Sequence, residues 1–400
     1  MKKATILQSL EALFMKITAY FKKYFWDGLA ITVLVLVFSV FFLKFPYHIP
    51  KFDPLTKALK DFELSDIWFS KVHERDTILT NPYIRIVDVG TLDRGQIGEL
   101  INKINRFNPK VIGVDIQFTG SKDPHKDSIL SEAIQNSKHI VLAGSLKNME
   151  DQSNSIFPLE GKSMGFINLN VSHNTNVRSF FPVEKINGKD QFAFAALIAK
   201  AFDEDAFDHL LDRKVKEEVI NYSGNKEHFS LLTPDKIDSS EVAGNIVLIG
   251  FCCSNCKAPV LEDLHFTPLN PEYSGKSFPD MYGVVIHANI IAMILTRQYI
   301  DDAPFWLILI LALLSVFLYI QIVIPWFVQE SKHKWFHIVA KLSQLGLTIA
   351  FLFFEFFLLG VARYKLDMGL MILAIALSID FIYFYEFFIR LFKIKGSVFF

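Results

Sequence analysis

Residues with the side chains of a metal or acid–base site lie between positions 263 and 289. They fall in two short motifs, DLHFTP and GVVIHAN, and comprise Asp263, His265, Thr267, His287 and Asn289. Two imidazoles and one carboxylate form a ligand set that divalent metals accept. The same groups can instead hydrogen-bond to backbone atoms and fasten a loop to a helix, with Thr267 in a turn. We favour this architectural role and keep a ligand or signal-relay site and a metal site as alternatives. No cofactor is expected.

Two aspartates stand at the ends of predicted strands. Asp88 ends the apolar run YIRIV, and Asp115 follows the run VIGV. Because open α/β sheets bind ligands at the carboxyl ends of their strands, the two carboxylates are candidate ligand contacts. Helix capping and loop hydrogen bonding explain such residues equally well, and we favour that explanation.

All three cysteines lie in one segment, FCCSNC, directly after the predicted strand NIVLIG. Structural zinc sites usually pair two such clusters, and the sequence offers no second cluster to complete a site with Cys252, Cys253 and Cys256. Outside the cytoplasm we expect a local disulfide from Cys256 to one of its two neighbours, which leaves one free thiol. A redox-active loop is the alternative.

Catalytic sequence motifs do not occur in this chain. The sequence contains no Walker loop, GxSxG, HExxH or GxGxxG. These motifs supply the phosphate cradle, the nucleophile, the metal ligands or the dinucleotide contact of the common enzyme classes. We therefore expect a protein that is not an enzyme.

Hydrophobic residues make up 51% of the 400 residues, and four apolar runs have the length of a bilayer span. They cover residues 28–45, 305–328, 342–361 and 368–388. A hydrocarbon core of ~30 Å requires about 20 helical residues. Positions 44–47 offer no small-x-small cleavage site, so the first run is predicted to be an uncleaved anchor.

Lysine and arginine placement predicts the orientation of these spans. Positive charges precede the first span, lie between the second and third, and follow the fourth, whereas two fall in the last outer turn. The positive-inside rule then places both termini in the cytoplasm and residues 46–303 outside. We expect a multi-pass protein of the bacterial inner (cell) membrane with its main domain periplasmic or extracellular.

Residues 1–25 precede the first span, at 26–45, and show apolar residues at helical spacing. An interfacial cytoplasmic helix lying on membrane lipid fits this pattern, and a partner-binding helix is the alternative. The formal net charge of −1 gives no basic footprint for nucleic acid, so no nucleic-acid partner is expected.

Short runs rich in Val and Ile alternate with helical patterns between residues 83 and 297. This alternation predicts an α/β fold with a mainly parallel sheet. The predicted strands cover residues 83–89, 110–118, 139–144, 218–223 and 245–250, with a β excursion over 164–170 and 178–186. Helices are predicted near 97–104 and at 128–136, 191–202 and 281–297.

Two acidic residues fall inside predicted membrane spans. Glu355 lies in FLFFEFFLLG and Asp380 in LSIDFIYF. A charge at that depth normally faces a bundle interior or a cavity with a partner. We favour polar contacts that hold the chain's own helices together, with contact to another subunit's helix or a proton-linked role as alternatives.

A family resemblance rests on the order of these motifs. The order of six motifs along the chain resembles that of the second type of CHASE extracytoplasmic sensor domain. The motifs are GVDIQF with a following Asp127, GFIN, a VR pair, NIVLIG, DxHxTP and GVVIHAN. The resemblance implies a sensor domain at 46–303, one membrane helix before it and three after it, at 304–390. Two features depart from the family pattern. Residues 91–94, TLDR, stand in place of a Trp-Pro-Trp-Arg segment, and residues 391–400 form a short cytoplasmic tail in place of an output enzyme.

The sequence therefore predicts a non-enzymatic membrane sensor or interaction subunit. Its outer domain would bind a small-molecule ligand or an envelope protein and couple through the membrane helices to a separate membrane partner. The alternative is a structural or accessory subunit of a multiprotein envelope or secretion complex.

Overall fold

The computed structural model describes residues 2–44, 63–72, 81–147, 161–169, 176–253, 261–270, 278–329 and 335–400, with side chains described from residue 22 onwards. The chain forms two compact units. One unit combines Met1–Leu59 with Asp302–Phe400, and the other comprises Lys60–Asp301.

The Lys60–Asp301 unit is an α/β domain. Its helices are α2 (Leu64–Ile67), α3 (Arg94–Asn105), α4 (Pro124–Asn136), α5 (Phe194–Phe202), α6 (Glu204–Asp212), α7 (Ser239–Val242) and α8 (Gly283–Thr296). Its longer strands are β1 (Ile84–Asp88), β2 (Val111–Val114), β3 (Ile140–Gly144), β4 (Ser163–Phe166), β6 (Val183–Ile186), β7 (Lys189–Phe192), β9 (Ser230–Leu232) and β10 (Ile246–Gly250). Two-residue strands are β5 (Ser179–Phe180), β8 (Glu218–Val219), β11 (Leu264–His265) and β12 (Met281–Tyr282).

The central sheet has six strands in the order β4–β3–β2–β10–β1–β9, and all neighbouring pairs are parallel. This confirms the predicted α/β fold with a mainly parallel sheet. The late strand β10 lies between β1 and β2, with Ile246 opposite both Ile84 and Val111. The centre of the sheet is therefore completed by a segment that follows β1 by about 160 residues.

Helices cover both faces of the sheet. On one face, alternate apolar residues of the strands pack against α3 and α4, where Gly98 allows close approach because a Cβ there would lie 2.9 Å from the Leu130 Cα. On the other face, a Cβ on Gly113 would lie 2.5 Å from Ile198 of α5. Strands buried on both faces read as continuous apolar runs, which explains why these segments were recognisable in the sequence.

One predicted strand pairs differently from the prediction, and one observed strand was not predicted. The segment predicted at 218–223 contributes β8, which pairs with β5 in a separate two-stranded sheet and not with the central sheet. The edge position is taken by β9, which pairs with β1 through Leu231 and Ile86. A three-residue edge strand carries too little hydrophobic pattern to be seen in the sequence.

The unit that combines Met1–Leu59 and Asp302–Phe400 contains α1 (Lys2–Lys44), α9 (Phe305–Val328), α10 (Phe336–Phe357) and α11 (Gly369–Phe392). The two-residue strands β13 (Asp301–Asp302) and β14 (Tyr364–Lys365) also belong to the chain. Within the described residues, four helices have the length and composition of membrane spans, one before and three after the domain, as the sequence predicts. Helix α1 is continuous across the predicted boundary at residue 25, between the interfacial helix and the first span.

Polar side chains connect the helices of this bundle. Gln321 Nε2 on α9 donates to the Tyr24 carbonyl of α1 at 3.1 Å. A Cβ on Gly28 would lie only 2.3 Å from Gln321 Nε2, so glycine leaves room for this side chain. Gln344 Nε2 on α10 donates to the Ile375 carbonyl of α11 at 2.7 Å. Such hydrogen bonds are the usual means of holding helices together in lipid, where the hydrophobic effect does not drive association.

A buried ion pair anchors the start of the α/β unit. Arg178 donates from Nε to Asp66 Oδ1 at 2.9 Å and from a terminal nitrogen to Oδ2 at 2.5 Å. The two side chains are 10% and 3% exposed. This bidentate geometry fixes helix α2 against the strand region that follows the VR motif.

Asp66→Ala is expected to lower the free energy of unfolding of the α/β unit by about 3–5 kcal/mol, because it leaves the Arg178 guanidinium buried without its main partner. Pulse proteolysis of the full-length protein in urea measures this change. The control is Asp190→Ala, which removes an exposed carboxylate 3.9 Å from Lys185 and is expected to cost about 0–1 kcal/mol. Equal urea midpoints for both variants would contradict the role of the pair.

Candidate functional site

The candidate site lies where α8 begins. Strand β11 pairs antiparallel with β12, so that His265 stands opposite Met281 and Leu264 opposite Tyr282. Helix α8 starts at the next residue, Gly283. This short pairing brings the DxHxTP segment to the N-terminus of the helix.

Two carboxyl groups reach the first residue of α8. A Cβ on Gly283 would lie 3.4 Å from Asp263 Oδ1 and 3.9 Å from Asp115 Oδ2. Asp115 directly follows β2, and Gly250, at the end of β10, lets Val284 approach, since a Cβ there would lie 2.8 Å from the Val284 side chain. The structure thus brings together Asp115 and Asp263, which are 148 positions apart in the sequence and were not predicted to meet.

Burial makes both carboxyl groups weak acids. Burial raises the pKa of Asp115 to about 7. Burial, and then the nearby charge of Asp115, raises the pKa of Asp263 to about 6. Neighbouring carboxyl groups of this kind titrate as a pair, so the site retains a proton close to neutral pH.

The two histidines of the motifs are neutral. Burial lowers the pKa of His287 to about 4, and its ring packs edge-on against Phe194 with centroids 5.3 Å apart. Burial, and then the nearby His287, lowers the pKa of His265. His287 Nδ1 is buried without a hydrogen-bond partner among the described residues. His287 is one helical turn from Gly283, so the imidazole and the carboxyl pair lie along the same side of α8.

Thr267 contacts the residue that precedes β12. Thr267 donates from its backbone nitrogen to Asp280 Oδ1 at 2.8 Å and from Oγ1 to Oδ2 at 2.5 Å. Burial raises the pKa of Asp280 to about 6, against the lowering effect of the Thr267 hydrogen bonds. Asp280 closes the loop before β12 and was missed in the sequence because a single aspartate next to a proline resembles any turn residue.

Asn289 has a fastening role. Its Oδ1 accepts hydrogen bonds from the backbone nitrogen of Ser223 at 2.9 Å and of Gly224 at 3.3 Å, and its Nδ2 donates to the Gly224 carbonyl at 2.9 Å. Asn289 is fully buried. Asn289 joins α8 to the loop after β8, and both the oxygen and the nitrogen of its side-chain amide take part in these hydrogen bonds.

Asp88 and the cysteine segment meet at the end of β1. Asp88 Oδ1 accepts from the backbone nitrogens of Gly90 and Cys252, each at 3.1 Å. Burial and the nearby Asp88 raise the pKa of the free Cys252 thiol to about 12. Cys253 is disulfide-bonded, and Cys256 lies outside the described residues. Burial and the Asp88 charge therefore favour the protonated form of the Cys252 thiol.

Metal-ligand geometry is not found in the described part of the chain, where no three His, Cys, Asp or Glu side chains are placed to hold an ion.

Glu355 and Asp380, the two acidic residues of the membrane helices, have different environments. Glu355 is 1% exposed, and its Oε2 accepts from the Met368 backbone nitrogen at 3.3 Å. Asp380 faces outward from the bundle and lies 3.3 Å from Lys341 Nζ. Glu355 is therefore buried within the bundle, whereas Asp380 lies on its surface and pairs with Lys341 of the same chain.

A comparison with protein families identifies the α/β unit. The CHASE2 domain family matches residues 78–322, which include the sheet, the DxHxTP segment, α8 and most of α9. The chain belongs to the CHASE2 domain family. No curated protein and no solved structure matches it. The CHASE2 domain is a membrane-anchored extracytoplasmic sensor domain, so this is a membrane protein with a sensor domain between its first and second membrane helices.

Asp115→Asn is expected to reduce the pH dependence of stability. The fold raises the pKa of Asp115 from 3.8 to about 7, so its contribution to stability is full below the lower value and is lost as pH rises through the higher one. The wild type should therefore lose thermal stability relative to the variant between about pH 4 and 8.

Differential scanning of the purified full-length protein measures this difference. Asp190→Asn, at an exposed hairpin position, serves as the control, and its difference from the wild type should not follow the same curve. A wild-type and Asp115→Asn pair with a constant difference in Tm across this range would contradict the burial of the Asp115 carboxyl group.

Proposed function

We propose that this protein is a non-enzymatic membrane sensor whose CHASE2 domain binds a ligand at the carboxyl pair of Asp115 and Asp263. The ligand is a small molecule or a side chain of an envelope protein. Binding is passed through α8 to the membrane helices and from them to a separate membrane partner. The convergence of the two carboxyl groups on Gly283, the first residue of the last helix before the membrane segment, carries the proposal.

The chemistry of the site favours a ligand with positive charge or several hydrogen-bond donors. Burial raises the pKa values of Asp115 and Asp263, and the nearby charge of Asp115 raises the pKa of Asp263 further. A cationic group between them would compensate both charges and displace the retained proton. Neutral His265 and His287 add imidazoles that accept or donate one hydrogen bond according to tautomer.

The connection from α8 to α9 is short and well fastened on the domain side. Helix α8 ends at Thr296 and is capped by Arg297 in the left-handed conformation, and the Gln298 nitrogen donates to the Met293 carbonyl at 3.2 Å. Asn221 Nδ2 donates to the Gln298 carbonyl at 2.9 Å, and Ile300 bridges to Val219. Eight residues, 297–304, separate the two helices. In this proposal, a displacement of α8 passes to α9 through this eight-residue segment.

The orientation of this sensor follows from its basic flanks. We place both termini in the cytoplasm, the domain in the periplasm or outside the cell, and the helices in a bacterial inner membrane, because lysine and arginine concentrate at the proposed inner flanks. The membrane lipid and a separate signalling subunit are the partners of the bundle in this arrangement.

Thermal stabilisation by cations tests the ligand site. Magnesium, calcium and the diamine putrescine are added separately to the full-length wild type, Asp115→Asn, Asp263→Asn and the surface control Asp190→Asn. A saturable rise in Tm with at least one probe is expected in the wild type and the control. The apparent affinity should fall about tenfold or more in either site variant, since each loses a charge-assisted contact of ~1.5–3 kcal/mol.

Equal responses of all four proteins would overturn the carboxyl site, and so would no response in any of them. Proteins that co-purify in mild detergent then decide between the sensor and its alternative. A kinase or cyclase supports the sensor, whereas a stable stoichiometric envelope or secretion complex supports the structural accessory subunit.

A further inference from the structure

A band of polar side chains lies on the outward surface between α10 and α11. Lys341 Nζ is 3.3 Å from Asp380 Oδ2, and the side chains are 56% and 60% exposed. One turn away, the Tyr383 hydroxyl is 3.1 Å from His337 Nδ1, and the two rings stack with an interplanar angle of 9°. We call His337, Lys341, Asp380 and Tyr383 the polar seam.

Asp380, the acidic member of the polar seam, lies at the depth of the hydrocarbon core. Asp380 is the twelfth of 24 residues in α11, which places it about 16 Å along the helix from Gly369 at 1.5 Å per residue. Lys341, the sixth residue of α10, lies near the start of its helix, and its side chain reaches Asp380 from there. A charge at the depth of Asp380 normally faces a bundle interior, because lipid cannot solvate it. In the isolated bundle, however, Lys341 and Asp380 face outward.

Other polar groups of the bundle face its interior, in contrast to the charged residues of the polar seam. Gln344, one turn from Lys341, is 5% exposed and donates to the Ile375 carbonyl. Glu355 is 1% exposed, and Asp27 accepts from the Tyr385 hydroxyl at 2.9 Å. The outward charges of the seam therefore mark a surface that is covered in the membrane.

We propose that a second copy of this chain covers the polar seam. The seam presents one acid and one base side by side, which makes it self-complementary. A two-fold axis along the membrane normal keeps equal depths and sets Lys341 of each copy against Asp380 of the partner subunit. A ring of four alternating charges replaces two isolated pairs, and the exposed apolar residues of α10 beside it, Ile338 and Leu342, supply the packing surface.

A different membrane protein fits this surface less well. It would need its own acid and base at the same depth and in the reverse order, whereas a second copy provides both by symmetry. The dimer contact goes beyond the proposed ligand sensing and does not depend on Asp115 or Asp263, so the two proposals fail separately.

Charge exchange between two differently tagged copies tests the proposal. Lys341→Glu makes the seam wholly acidic, and Asp380→Lys makes it wholly basic, so each variant should repel itself. The full-length copies are co-expressed, and one tag is used to purify the other in mild detergent. Co-purification of each variant with itself should fall about tenfold or more below wild type, a loss of ~1.4 kcal/mol.

The mixed pair carries the decisive result. Lys341→Glu in one copy and Asp380→Lys in the other place opposite charges across the two-fold axis, and co-purification should return to near the wild-type level. The pair within each chain is broken in both variants, so this recovery requires contact between copies. A mixed pair that co-purifies no better than the self-pairs overturns the proposal, as does a wild type whose two tagged copies never co-purify.

Two further variants guard against misfolding. The same exchange at the exposed pair of the outer domain, Lys185→Glu with Asp190→Lys, should leave co-purification unchanged. If a charge variant fails to accumulate in the membrane, a chain with both Lys341→Met and Asp380→Asn replaces it. That chain should co-purify with itself about tenfold less than wild type, and undiminished co-purification overturns the proposal.

Discussion

The position of β10 between β1 and β2 is the constraint on which the rest of the α/β unit depends. Its apolar residues pair with both neighbours, so the sheet has no continuous centre until residue 250 is in place. Gly250 then ends the strand without a side chain, which lets Val284 of α8 approach the sheet edge. A larger residue at position 250 would push α8 away from Asp115 and separate the carboxyl pair.

Two opposing electrostatic effects meet at that edge. The N-terminus of α8 carries partial positive charge and favours ionised carboxylates. Burial has the larger effect and raises the pKa of Asp115 to about 7; burial and then the nearby Asp115 raise that of Asp263 to about 6. The site is consequently poised near neutral pH between a protonated and a fully charged state. Binding of a proton or a ligand between the two carboxyl groups then changes the charge at the first turn of α8.

The sequence was sufficient for the elements with strong patterns. The apolar runs of β1, β2, β3 and β10 were recognisable because both faces are buried, and the membrane helices because of their length. The sequence was insufficient for β8 and β9, whose pairings involve three residues or fewer, and for Asp280, whose partner Thr267 is 13 residues away. The meeting of Asp115 with Asp263 depends on strand order, which no local pattern specifies.

The bundle shows why the exposed seam is informative. Gln344 and Glu355 both lie inside the bundle and make hydrogen bonds to their own chain, so its helices do bury polar groups where packing allows. Lys341 and Asp380 lie on the same two helices as those residues yet remain outside. Lys341 and Gln344 are three positions apart and so are neighbours on one side of α10, where Gln344 is buried against α11 and Lys341 lies at the outer edge of the same contact. The helix faces are therefore divided between contacts within the chain and an outward charged surface, and lipid alone does not satisfy the latter.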